Sequence, residues 1–188
     1  MRIVFIGPPG AGKGTQCKRL ASELAIPHIS TGEMLRATKG ESELGEFVAG
    51  YIDHGNLAPD DLVMQMITDR LSQPDCCDGY LLDGFPRTVN QAIRLDTYLS
   101  ERQQSVDIVL ELVVEQSVLV ERLLARAQTE NRIDDSIETI RARLEVFFRR
   151  TAPVLDYYRQ RGMIRSIDGS LPPESVFQAI RAELNLPG

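Results

Sequence analysis

Gly7-Pro8-Pro9-Gly10-Ala11-Gly12-Lys13-Gly14-Thr15 sets glycines and one lysine in a GxxxxGK spacing. Glycines let the main chain curl until several N–H groups face one anion. A helix opening from such a turn adds the positive end of its dipole. The lysine adds a full charge for terminal phosphates. The chemistry predicted is nucleoside triphosphate binding by Gly10, Ala11, Gly12, Lys13, Gly14 and Thr15. One position departs from the usual pattern. The residue after the lysine is commonly Ser or Thr, placed on Mg²⁺, and here it is Gly14 with Thr15 next.

A phosphate loop binds a nucleotide, and other residues decide what happens to it. Asp83-Gly84-Phe85-Pro86-Arg87 closes the apolar run Gly79–Leu82. Carboxyl ends of parallel strands face the ligand crevice, so Asp83 sits where a carboxylate can organise the water around Mg²⁺. The competing reading is a turn or cap aspartate. Arg87 leaves the same turn with a planar fork suited to phosphate. Arg122 and Arg126 are four apart, on one face of an expected helix. Arg132 follows a polar break, Arg143 lies on the next helical run, and Arg36 lies in the helical stretch Ser30–Ala58. Each alone reads as a solvated charge. Together, in an acidic protein with a phosphate loop, they read as a set that neutralises a transferring phosphoryl group, each worth roughly a few kcal/mol in a dry site. The sequence shows no Ser-His-Asp or Cys-His arrangement and no glutamate that stands out as a base for water. A phosphate monoester acceptor needs none, because its oxygens are already anionic nucleophiles.

These residues hang on an alternation of short apolar runs and helical patterns. Arg2–Ile6, His28–Ser30, Gly79–Asp83, Asp107–Val113 and Met163–Ile167 read as strands. Thr15–Leu24 and Val118–Ala127 carry apolar residues at helical spacing, and a helix starts at Thr88. Asp135-Ser136-Ile137-Glu138 resembles a capping box. It opens a long helix with Ile137, Ile140, Leu144, Phe147 and Phe148 along its buried side, which Pro153 should kink. Pro173 begins the last helix. Strands alternating with helices predict an α/β fold with a parallel sheet covered on both faces. Ser30–Ala58 is helical without a strand and reads as an insertion. Ala127–Asn131 reads as a short polar break between helices. Insertions beside a phosphate site are candidates for moving parts.

Bulk properties narrow the class. The 188 residues suit one domain, and a net charge of -6 argues against a general nucleic-acid binder. No apolar run approaches the roughly 18 residues of a membrane span, and the N-terminus lacks a secretory pattern, so a cytoplasmic location is expected. Cys17, Cys76 and Cys77 read as reduced structural thiols, and His28 and His54 as structural residues without a metal-ligand partner.

The chain resembles the adenylate kinases, of the short-lid bacterial type, along nearly its whole length. The runs that carry the resemblance are GPPGAGKGTQ (7–16), STGEMLR (30–36), GNLAPDDL (55–62), LLDGFPRT (81–88), RIDDSIETIRARL (132–144) and TAPVLDYY (151–158). The resemblance implies a single P-loop domain with a five-stranded parallel sheet in a three-layer sandwich. Its core would span 1–29, 59–126 and 133–188, with an AMP-binding insertion at 30–58 and a short lid at 127–132. It implies that Thr31, Arg36, Asn56, Leu57, Ala58, Gly84, Phe85, Pro86, Arg87 and Gln91 hold AMP. Gln91 is also the fourth residue of a possible capping box from Thr88. Arg122 and Arg126 would meet the ATP phosphates, and Arg132 and Arg143 would reach across to AMP and the transferring group. Asp134 and Asp135 would help the lid close, and the main chain at Leu171 would lie against ATP's adenine. Lys13, Arg87, Arg122, Arg132 and Arg143 are thus the expected catalytic set. The substrates implied are ATP, AMP and ADP, with Mg²⁺ and a monomeric chain. The short lid has no cysteine quartet for a structural zinc. A UMP/CMP kinase shares the loop, fold and arginines. Thr31, Thr88 and Gln91 favour adenine at the acceptor site. A P-loop module that binds ATP without transfer does not need the arginine set, and a GTPase-like hydrolase would need a group to place water.

Overall fold

The computed structural model describes residues 1–38, 46, 50–51, 55–130 (side chains to 125) and 137–186. Five strands form one parallel sheet: β1 (Arg2–Ile6), β2 (His28–Ser30), β3 (Tyr80–Asp83), β4 (Ile108–Val113) and β5 (Ile164–Asp168). Their spatial order is β2-β3-β1-β4-β5. The expected sheet and its α/β class are therefore found, with strand ends moved by about a residue.

β1 lies between β3 and β4, with Ile3 opposite Leu81 and Ile108. Its side chains alternate between two separate cores, as a strand buried on both faces must. Val4 and Ile6 face one core with Leu82, Ile67, Leu95 and Tyr158. Ile3 and Phe5 face the other with Leu20, Leu81, Leu110, Leu123 and Ile180. The helices that close the first core are α3 (Asp60–Leu71), α4 (Val89–Ser100) and α7 (Ala152–Arg159). Those over the second are α1 (Lys13–Leu24), α5 (Gln116–Glu130), α6 (Ile137–Val146) and α8 (Pro173–Glu183). α2 (Thr31–Ala37) follows β2 directly.

Three local expectations change. The break expected at Ala127–Asn131 is helical through Glu130, because Ala127, Gln128 and Glu130 are good helix formers whatever the polarity of the stretch. Residues 131–136, with Arg132, Asp134 and the first half of the expected capping box, Asp135 and Ser136, lie outside the described residues, as do His54 and the side chain of Arg126. Ile137 and Phe148 are half exposed, although Ile140, Leu144 and Phe147 of the same run are buried. A π-helical turn at Phe147–Thr151 adds a residue to the ladder, which rotates Phe148 off the buried face. Pro153 stands in the first turn of α7, just after that bulge, where its missing N–H breaks no helical bond.

Candidate active site

Every expected site residue within the described part follows the carboxyl end of a strand, or faces that edge from a neighbouring helix. After β1 the chain turns through the phosphate loop into α1. Gly12 caps the helix at φ 91° and Gly10 sits at φ 84°, both left-handed. A Cβ on Gly10 would also come 3.0 Å from Leu123 Cγ and 3.1 Å from the Leu119 carbonyl oxygen. Lys13 bends back over the loop and donates from Nζ to the Gly7 carbonyl at 2.7 Å and to Pro8 at 3.0 Å. The ammonium is therefore held above the loop before any ligand arrives.

Asp83 ends β3 opposite Ser30 of β2 and Phe5 of β1. Its Oδ2 lies 3.4 Å from His28 Nε2. Burial alone would raise this carboxyl; the His28 hydrogen bond and the charges of Lys13 and Arg87 outweigh it and hold it below the usual range. His28 is thus not the isolated residue expected from sequence. Its ring, the buried Cys17 thiol and Asp83 bring their donor atoms within 4.8 Å of one another. Strand pairing makes that meeting between residues far apart in the chain, so no local spacing announced it.

The turn after β3 is braced by its own polar groups. Thr31 Oγ1 donates to the Gly84 carbonyl at 2.8 Å, and Arg87 Nε donates to the same oxygen at 2.7 Å. A Cβ at Gly84 would fall 2.9 Å from both the Arg87 Nη2 and the Thr31 Oγ1 atoms. Thr151 Oγ1 fixes the Arg87 carbonyl at 3.0 Å. Arg87 opens to the cleft on one side and has protein on the others. Desolvation lowers its pKa, Asp83 opposes that, and Arg143 and Arg36 push it further down. These guanidinium groups repel one another in the free protein, a strain that an anion between them relieves.

Gln91 is buried in the first turn of α4. Thr88 caps that helix by accepting from Gln91 N at 3.1 Å. The reciprocal half of the expected capping box differs, since Gln91 Oε1 accepts from Arg87 N at 2.7 Å. Across the sheet, Arg122 of α5 donates to the carbonyls of Gly169 and Ser170 at 2.7 and 3.0 Å. It thereby ties the loop after β5, which leads to the exposed Leu171.

One cavity of about 490 Å³ joins these parts. It is lined by Gly10, Gly12, Lys13, Gly14 and Thr15 on one side and by Thr31, Arg36, Gly84, Pro86, Arg87 and Gln91 on the other. Asn56, Leu57, Ala58, Asp83, Arg122 and Arg143 complete the expected residues in its wall. Ala11 and Phe85 do not line it. Both are packed into the cores, 2% and 1% exposed, and shape the turns from behind. Lys18, Leu35, Val63 and Thr151 also line it without being expected there from sequence, as does Phe147, expected only as a core residue. They belong to ordinary helical patterns, so only the tertiary fold reveals them. A hollow of about 600 Å³ over α5 and α6, against Val120, Leu144 and Phe148, shares none of these residues.

Such a cavity offers main-chain donors, the lysines Lys13 and Lys18, the arginines Arg36, Arg87, Arg122 and Arg143, and the carboxylates Glu33 and Asp83. It can hold a polyphosphate and a second phosphate together while excluding much of the water between them. The adenylate kinase family model matches residues 5–163. An adenylate kinase of Rhodopirellula baltica is 55% identical over 185 residues, covering 98% of this chain and 95% of the relative. One of Thermobifida fusca is 48% identical over 179 residues, covering 95% of each. One of Clostridium acetobutylicum is 40% identical over 209 residues, covering 96% of this chain and 97% of the relative.

Proposed function

The chain belongs to the adenylate kinase family and transfers a phosphoryl group reversibly between adenine nucleotides; from that premise we propose which residues hold each nucleotide and carry the transfer. ATP lies with its phosphates on the loop Gly10–Thr15, under Lys13 and Arg122, with Arg126 as a further contact and its adenine along the main chain at Leu171. AMP lies on the opposite wall, its phosphate on Arg36 and Arg87 and its base near Thr31, Leu57, Ala58, Gly84 and Gln91. Asn56, Phe85 and Pro86 shape that wall. Arg143 and Arg132 span the two nucleotides. An AMP phosphate oxygen attacks the γ-phosphorus in line, and the bond to the bridging oxygen of ADP breaks on the far side. The acceptor oxygen is already an anion, so no side chain has to remove a proton. Lys13, Arg87, Arg122, Arg132 and Arg143 act on charge alone.

The observation that carries this reading is the single cavity shared by the phosphate loop and the Thr31–Gln91 wall. Asp83 fits a role toward Mg²⁺. Its carboxylate is held in the ionised form below the ordinary range, and the absence of a side chain at Gly14 leaves Oδ2 3.9 Å from where a Cβ would stand. Asp83 would hold, through water, the Mg²⁺ that accompanies ATP, and the ion would supply positive charge to the phosphates. The insertion at 30–58 and the lid at 127–132 close over the cleft and keep water from competing with AMP. A monomer in the cytoplasm is the working form. Among the described residues no helix is long and apolar enough to cross a membrane.

The test is a coupled assay with ADP and Mg²⁺, then with ATP and AMP, omitting each component in turn. Equilibration of two ADP with ATP and AMP is expected, and its absence from folded protein would refute the reading. Rates with AMP, CMP and UMP as acceptors separate adenine from pyrimidine preference.

A further inference from the structure

We propose that Asp60 is a positioning residue that fixes the direction of the Gln91 amide and thereby selects acceptor bases bearing an amino group over those bearing a keto group. This deepens the acceptor-site reading above and rests on it.

Asp60 is the first residue of α3, where the helix end favours a carboxylate. Its Oδ1 accepts from Gln91 Nε2 at 2.7 Å. On the other side of the same amide, Gln91 Oε1 accepts from Arg87 N at 2.7 Å. A main-chain N–H can only donate and a carboxylate can only accept. The amide therefore has one orientation that satisfies both neighbours. Turned over, it would set N–H against N–H at Arg87 and oxygen against oxygen at Asp60. Asp60 is itself clamped: Oδ2 accepts from Thr88 Oγ1 at 3.0 Å and from Asn90 Nδ2 at 2.9 Å. Thr88 in turn accepts from Gln91 N at 3.1 Å, so the web closes on itself.

After these bonds the Gln91 amide keeps one N–H and one lone pair, and the residue lines the cavity. Adenine offers a 6-amino donor beside the N1 acceptor. The remaining oxygen and N–H of the locked amide match that edge. Hypoxanthine inverts the edge, with O6 accepting and N1–H donating, and the same amide opposes it. Rejection of a base that leaves buried polar groups unpaired is the strong kind of discrimination. Cytosine repeats the amino pattern of adenine. Its exclusion must come from the size of the base site and not from this lock.

The experiment compares kcat/KM for AMP and IMP, which differ in that edge, in the wild type, Asp60→Ala and Gln91→Ala. The ratio of the two acceptors on one preparation is independent of how much of it is folded. The wild type should favour AMP. Asp60→Ala should narrow the AMP:IMP ratio by about tenfold, the worth of one hydrogen bond, with the KM for ATP unmoved. Gln91→Ala should narrow it further, since the Arg87 N–H still biases the amide when Asp60 is gone. If Gln91→Ala collapses the ratio while Asp60→Ala leaves it at the wild-type value, the positioning role is wrong and the acceptor site stands. If Gln91→Ala itself leaves the ratio unchanged, Gln91 does not read the base and the acceptor-site reading fails with it.

Discussion

On the β1 side of the cleft, positive charge is carried by main-chain N–H groups, a helix end, Lys18, Lys13 tied to its own loop and Arg122 tied to the main chain after β5. On the β3 side it is carried by guanidiniums, and their geometry depends on hydrogen bonds that Thr31 and Thr151 donate and that Gln91 and Asp60 accept. The first wall is set by backbone dihedrals and needs particular residue types at few positions. The second is a web in which each member holds another. The walls therefore divide the work: the first should govern turnover and folding of the loop, the second affinity and choice of the acceptor.

The sharpest way to break this division is Lys13→Ala. It should lower kcat by a factor on the order of 10² or more and leave the AMP KM within about threefold of wild type. Steady-state rates with both substrates varied would show it, and near-normal turnover would take Lys13 out of the mechanism. Gly10→Ala attacks the same wall through its backbone. The left-handed φ and the approach to Leu123 predict a loss of about 2 kcal/mol, read as a lower urea midpoint at unchanged slope. A variant as stable as wild type would mean that the loop is more pliant than its dihedrals imply.

Arg36→Ala probes the other wall. The residue lines the cavity and its charge reaches Arg87. The AMP KM should rise about tenfold, with the ATP KM changed less than about twofold. Equal rises in both constants would erase the distinction between the walls.

The same contrast explains what was legible in the sequence. The phosphate loop works through contiguous backbone, so its chemistry is written as one motif with fixed spacing, and Lys13, Gly10 and Gly12 were found directly. β1, β3 and β4 are legible because apolar runs that are mostly buried leave few alternatives. The β3 wall is assembled from side chains of several separate segments. Arg87 is legible from its place in the turn after β3, and Arg36 and Arg143 only as members of an arginine set whose separate roles come from the family resemblance, since an arginine alone carries no address. Asp60 and the His28–Asp83 contact were missed because they exist only once α3, α4 and the parallel strands are packed. The helical run through Glu130 is hidden by its polarity, because helix propensity, not polarity, decides whether such a segment stays wound.

The weakest expected effect tests whether the β1 wall is preformed on a dry base. Cys17 lies on α1 beneath the loop with no exposed surface, whereas Cys77 is exposed. Burial pushes the Cys17 thiol well up, Asp83 adds to that, and Lys13 opposes it. Burial likewise raises the Cys76 thiol to about 11 against the pull of Arg70. A thiolate is the reactive form, so both should be inert near neutral pH. A chromogenic disulfide reagent should therefore titrate one thiol quickly in the folded protein and all three after denaturation. Cys77→Ser should remove the fast phase, and ATP should not alter it. Rapid labelling of Cys17 in the nucleotide-free protein, slowed by ATP, would mean that the base of the loop opens until a ligand closes it. The backbone wall would then be as dependent on its ligand as the side-chain wall.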